Sequence, residues 1–143
     1  MAEGDDFHSA VNRAKMSAGV ALSDDDWAPW LLALRDWIDR APTPVIITCS
    51  ALRRQYRDVL RTAAADVRFL HLHGSDAVLR NRIRDRRGHF MPPALLASQL
   101  STLEPLQDWE NGLMIEIDGS PKQIADRAVR LLGPDTGSPP RFR

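Results

Sequence analysis

The stretch "PVIITCSA", residues 44–51, constrains the fold more than any other. It is short, rich in β-branched side chains and apolar with no polar alternation. A strand exposed to water on one face alternates, whereas a strand covered on both faces does not, so this run reads as a strand of a parallel sheet. A helical pattern follows at once, with Leu52, Tyr56, Val59, Leu60 and Ala63 at spacings of three and four. The same alternation recurs twice. "VRFLHLHG" (67–74) reads as a strand before the helical "SDAVLRNRIRDRR", and "LMIEID" (113–118) as a strand before "SPKQIADRAVRLL". A further helix starts at the prolines of "PPALLASQLSTL", where proline is tolerated. Strands alternating with helices of this length predict an α/β protein with a mostly parallel sheet and helices on both faces. Polar residues just past each strand then fall on one sheet edge, where ligands bind.

Ahead of these lies "SDDDWAPWLLALRDWIDR", residues 23–40. Trp27, Trp30, Leu31, Leu34, Trp37 and Ile38 form one apolar helical face. Ser23 and the three aspartates supply a cap and negative charge at the helix start. Pro29 is expected in or near the first turn. The tryptophans are expected in the core.

The 143 residues fit one domain. Nineteen basic residues balance nineteen acidic ones, which argues against a general nucleic-acid binder. Only Lys15 and Lys122 are lysines; the other basic residues are arginines, whose planar fork suits phosphate and carboxylate. Cys49 is the lone cysteine, so neither an intramolecular disulfide nor a cysteine-based zinc site is expected, and a cytoplasmic setting fits. No apolar run approaches the roughly 20 residues of a membrane span, and the N-terminus shows no signal pattern. "GPDTGSPPRFR", residues 133–143, has the composition of a disordered tail.

Four groups of residues can carry chemistry. Glu3, Asp5, Asp6 and His8 crowd the first residues; such carboxylates hold Mg²⁺ through water or take a hydroxyl proton, or are simply a solvated acidic terminus. "RNRIRDRRGHFM" (80–91) sets Arg82 and Arg86 on one helix face before Gly88, which suits a lid over phosphates or an exposed basic face. "CSALRRQYR" (49–57) brings Ser50, Arg53, Arg54, Tyr56 and Arg57 to the sheet edge, where they can recognise a polyhydroxy acid or be solvated. His71 and His73 share one strand face, without a third metal ligand in evident reach.

In their order along the chain, these stretches resemble the gluconokinases, small P-loop kinases with a core like shikimate kinase. The matching runs are "GDDFHSAVNRAKMSAGVALSDDDWAPWL" (4–31), "CSALRRQYRDVLR" (49–61), "GHFMPPALLASQLSTLEPL" (88–106) and "IEIDGSP" (115–121). Ser9 departs from the proline usual after the histidine. The resemblance implies a three-layer, P-loop kinase-like parallel sheet flanked by helices, over residues 1–132, with a lid at about 82–93. It implies ATP-dependent phosphorylation of D-gluconate with Mg²⁺. By position it implies Asp5 and Arg86 as catalytic, and Glu3 near the metal through water. It puts His8, Asn12, Lys15, Arg53, Tyr56, Arg57 and Gln99 at the sugar acid, and Arg82, Arg86, Asp118, Gly119 and Pro121 at the nucleotide. A homodimer is compatible with it; nucleic-acid or membrane partners are not implied. A non-catalytic gluconate-binding chain and another small-molecule kinase are the alternatives.

The sequence contains no G-x-x-x-x-G-K-[ST], the loop whose N–H groups and lysine cradle phosphates. Set against the resemblance, this leads to the expectation that the first, central strand and the P-loop are missing, with Met1 a downstream start. The third and fourth strands of the family order would then lack the partner between them, leaving a chain of low stability or a rearranged sheet.

Overall fold

A computed structural model describes residues 1–42, 44–85 and 93–133. Two compact units emerge, each built around a two-stranded parallel sheet. The first holds Met1–Val67 and Ile83–Pro105, the second Arg68–Arg82 and Leu106–Arg143.

In the first unit, β1 (Ala2–Glu3) pairs with β2 (Ile47–Thr48) in the register Ala2↔Ile47 and Glu3↔Thr48. β1 is not expected from the sequence: two residues suffice, because a parallel partner supplies the ladder. β2 is correspondingly shorter than the expected 44–51. A 3₁₀ turn, Gly4–Phe7, leads to α1 (Ala10–Ser17) and α2 (Asp24–Arg40). Ser9 caps α1, its Oγ accepting the N–H of Asn12 at 3.1 Å, a task that the usual proline cannot perform. Ser23 and Asp26 close a reciprocal capping box on α2. Pro29 is the sixth residue of α2 rather than part of its first turn, so the helix runs on past a position with no N–H to donate. α3 (Arg54–Leu60) packs on α2, and α5 (Pro93–Thr102) adds Leu95 and Leu96 to a core of Trp27, Trp30, Leu31, Leu34, Tyr56 and Leu60. Trp37 is half-buried, edge-on to Phe7.

In the second unit, β3 (Phe69–His73) pairs with β4 (Gly112–Glu116) over all five residues, from Phe69↔Gly112 to His73↔Glu116. α4 (Asp76–Asp85) begins in this unit, and α6 (Pro121–Leu132) packs on β4. Ile115, Ile117 and Ala128 form the buried core. Strands covered on both faces are not what the described residues show. Leu70 and Leu72 are 39% and 50% exposed: β4, the ladder partner of β3 among the described residues, bonds to its edge and covers neither face. The expected tail, apart from Gly133, and most of the expected lid, including Arg86, lie outside the described residues.

Candidate active site

In the first unit, residues Met16, Ala21, Leu22, Trp27, Leu52, Arg53, Tyr56, Leu95, Ser98, Gln99 and Thr102 enclose a cavity of about 130 Å³. At a water's liquid share of about 30 Å³, that volume holds roughly four waters, the size of a short run of hydroxyl-bearing carbons. Apolar walls with a few convergent polar groups are what a small-molecule site needs. Three residues expected at the sugar acid, Arg53, Tyr56 and Gln99, line this one space. Sequence reasoning missed Ser98 and Thr102. Their place on α5 with Gln99, at spacings of one and three, is the signal that points to them.

Asp24 organises the cavity's charged edge. Tyr56 Oη donates to Asp24 Oδ1 at 2.5 Å, and Arg53 Nη1 lies 3.0 and 2.9 Å from the two carboxylate oxygens. The Tyr56 hydroxyl bond, ahead of the nearby Arg53 charge, holds the Asp24 carboxyl below its usual range. Burial and the same carboxylate push the Tyr56 phenol up to about 12, so it stays a donor across the physiological range. Arg53 also sits over the Tyr56 ring at 5.9 Å.

Trp27 links this edge to a second cluster. Its ring is 5.6 Å from Tyr56 and 5.5 Å from His8, which stacks on Trp30 at 4.7 Å and 4°. Trp30 Nε1 donates to the Gly4 carbonyl at 2.7 Å, tying α2 to the turn that carries Asp5. Gly4 is required there, since a Cβ would overlap the Thr48 carbonyl. His8 is 3% exposed, and its Nδ1 has no hydrogen-bond partner among the described residues. Burial lowers its pKa; Asp5 opposes that and Arg13 adds to it. Asn12 is buried and donates to the Asp26 carbonyl at 2.9 Å. Lys15 pairs with the Asp26 carboxylate at 2.7 and 2.8 Å, which with the Ser23 bonds holds that carboxyl at about 2. Glu3 accepts from Thr48 Oγ1 at 2.5 Å, and Asp5 is exposed.

Arg57, also expected at the sugar acid, instead turns its guanidinium to backbone carbonyls and is 4% exposed.

In the second unit, four residues expected at the nucleotide, Arg82, Asp118, Gly119 and Pro121, lie around one loop. Arg82 Nη2 donates to the carbonyls of Ile117, at 2.6 Å, and of Gly119. Gly119 takes φ +88°, a conformation that favours glycine. Ser120 caps α6 and Pro121 opens it. Asp118 pairs with Arg127 at 2.6 Å, which holds its carboxyl below the usual range. Asp118, Gly119, Gln123, Asp126, Arg127 and Arg130 border an open shelf of about 340 Å³. His71 and His73 rings lie 6.3 Å apart. No group of three or more His, Cys, Asp or Glu among the described residues is placed to hold a metal. No helix among them is long and apolar enough to cross a membrane.

No protein-family model matches the chain. It is 40% identical to the gluconokinase of Gluconobacter oxydans, over 90% of this chain and 74% of that protein. Among solved structures, an unliganded sugar kinase from Janibacter sp. HTCC2649 superposes with a TM-score of 0.83 at 47% identity, over 91% of this chain and 77% of the other. A gluconokinase from Sinorhizobium meliloti 1021 gives 0.81 at 41%, over 90% and 73%.

Proposed function

The chain belongs to the gluconokinase family, and from that premise we propose that it phosphorylates D-gluconate with ATP, holding the acid in the cavity lined by Arg53, Tyr56 and Gln99. The observation that carries this reading is the convergence of those three side chains, with Ser98 and Thr102, on one space. Donors and acceptors at that spacing suit a chain of hydroxyls, and the arginine suits a carboxylate. The His8, Asn12 and Lys15 cluster backs the acid's site through Trp27 and Asp26.

Asp5 is the base in this proposal. It is an exposed carboxylate on the turn that Trp30 anchors, and it takes the proton of the attacking hydroxyl as the new P–O bond forms and ADP leaves. The Asp118–Pro121 loop, braced by Arg82, borders the nucleotide base, and Arg86 contacts the transferring phosphoryl. Direct Mg²⁺ ligation does not fit the described residues: Glu3 is engaged by Thr48 and lacks companion ligands. Glu3 would meet Mg²⁺ through water, and the ion would supply charge neutralisation at the nucleotide's phosphates. The lone Cys49 suits a cytoplasmic setting.

Calorimetry with D-gluconate tests the cavity. Arg53→Ala and Gln99→Ala are each expected to weaken binding at least about tenfold, or about 1.4 kcal/mol; unchanged affinity in both refutes the placement. A coupled assay for ADP release tests the transfer. Gluconate binding without turnover would identify a non-catalytic gluconate-binding chain instead.

A further inference from the structure

We propose that Arg57 is a positioning residue: with Glu104 it forms a seam that fixes the distance between the two walls of the cavity, and so sets the length of acid that the cavity accepts. The inference rests on the reading of that cavity as the gluconate site. One wall is the lead-in to α3, with Leu52 and Arg53, and Tyr56 on the helix itself. The other is α5, with Leu95, Ser98, Gln99 and Thr102. Arg57 Nη1 donates to the carbonyls of Ala51 and Leu52, at 3.1 and 3.2 Å, on the first side. It also donates to the carbonyl of Glu104 at 3.1 Å, just past the end of α5, while Nη2 lies 3.5 Å from the Pro105 carbonyl.

Two more bonds close the seam. The Glu104 N–H donates to the Leu52 carbonyl at 2.8 Å. The Glu104 carboxylate accepts the N–H of Arg54 at 2.6 Å. Arg54 opens α3, and Arg53 at the cap position offers no side-chain acceptor, so Glu104 satisfies an N–H that the helix leaves unbonded. Every bond of the seam falls within three residues of a cavity-lining side chain. A guanidinium presents five N–H groups in one plane and serves carbonyls from both segments at once; an ammonium is a point donor and does not.

The test uses the full chain as wild type, Arg57→Lys, Glu104→Ala, Gln99→Ala and Arg53→Ala, titrated by calorimetry with D-gluconate and with D-erythronate, its four-carbon analogue. A residue that supports only the fold lowers the unfolding midpoint but leaves the ratio of the two affinities unchanged. A residue that sets wall spacing changes the ratio. Arg57→Lys is expected to lose about tenfold in gluconate affinity and to contract the gluconate-to-erythronate preference several-fold, since small misplacements in a site are costly. Glu104→Ala, an exposed position that leaves the fold in place, is expected to contract it less. An unchanged preference in both variants, with Gln99→Ala or Arg53→Ala still weakening gluconate, overturns the seam alone. Equal gluconate affinity in wild type, Gln99→Ala and Arg53→Ala alike overturns the cavity reading and the seam with it.

Discussion

The two units bury polar groups to different extents. The first buries them: His8, Asn12 and Arg57 are each 5% exposed or less, and Asn12 and Arg57 are bonded to backbone carbonyls. The second, like the first with Arg53 and Asp24, keeps its ionic contacts at the surface. Arg127 with Asp118 and Lys122 with Asp126 are exposed pairs, and Glu110 is its one buried charged side chain among the described residues. A buried polar network admits one arrangement, because any other leaves a desolvated group unpaired. Exposed pairs rearrange at little cost, since water replaces the lost partner. The contrast fits the proposal that the first unit recognises the acid and the second borders the nucleotide.

The contrast can be broken most directly at Trp30. Trp30→Ala removes the stack on His8 and the bond to Gly4, and is expected to cost roughly 3–5 kcal/mol, measured by urea unfolding; a loss under 1 kcal/mol would mean that the first unit is not held by its aromatic cage. Gly4→Ala should follow at about 1–3 kcal/mol, because the new methyl meets a strand carbonyl that cannot retreat. Next comes pH. Burial keeps folded His8 neutral below the ordinary 6.5, so the unfolded chain takes up the proton first. Thermal stability should therefore fall as pH drops from 7 towards 5, and His8→Gln should flatten that slope. Lys15→Met acts lower still. The Asp26 carboxyl, held at about 2, keeps its stabilising effect above its ordinary 3.8 and loses it as pH falls through the folded value. Without Lys15 the acid limb of the melting profile should move to higher pH. Smallest of all, Arg127→Ala should leave the melting temperature unchanged within error. A large drop there would show that the second unit's surface pairs are structural after all.

Periodic features were legible in the sequence. The apolar face of α2, its Ser23 cap and the proline start of α5 follow from spacing and from what helix ends require, and the structure has all three. The convergence of Arg53, Tyr56 and Gln99 was legible through family likeness, not through spacing. Other features were invisible for physical reasons. β1 is two residues long, too short for any pattern, and exists only because β2 offers a ladder. Asp24 sits in a run of three aspartates that looks like helix-end charge. Its partners, Arg53 and Tyr56, are 29 and 32 residues away. Arg57 shows the general difficulty: a sequence displays donors, but the acceptors that claim them are backbone carbonyls, which every residue has.

The aromatic cage also gives this protein an optical reporter. Trp27 and Trp30 both touch the His8 ring. A protonated imidazole quenches a neighbouring indole by accepting an electron from its excited state, whereas a neutral one does so weakly. Emission from this pair therefore reads the charge on a histidine behind the proposed acid site, without any label. Trp37 and Trp109, the other two indoles, provide the background against which that signal is measured.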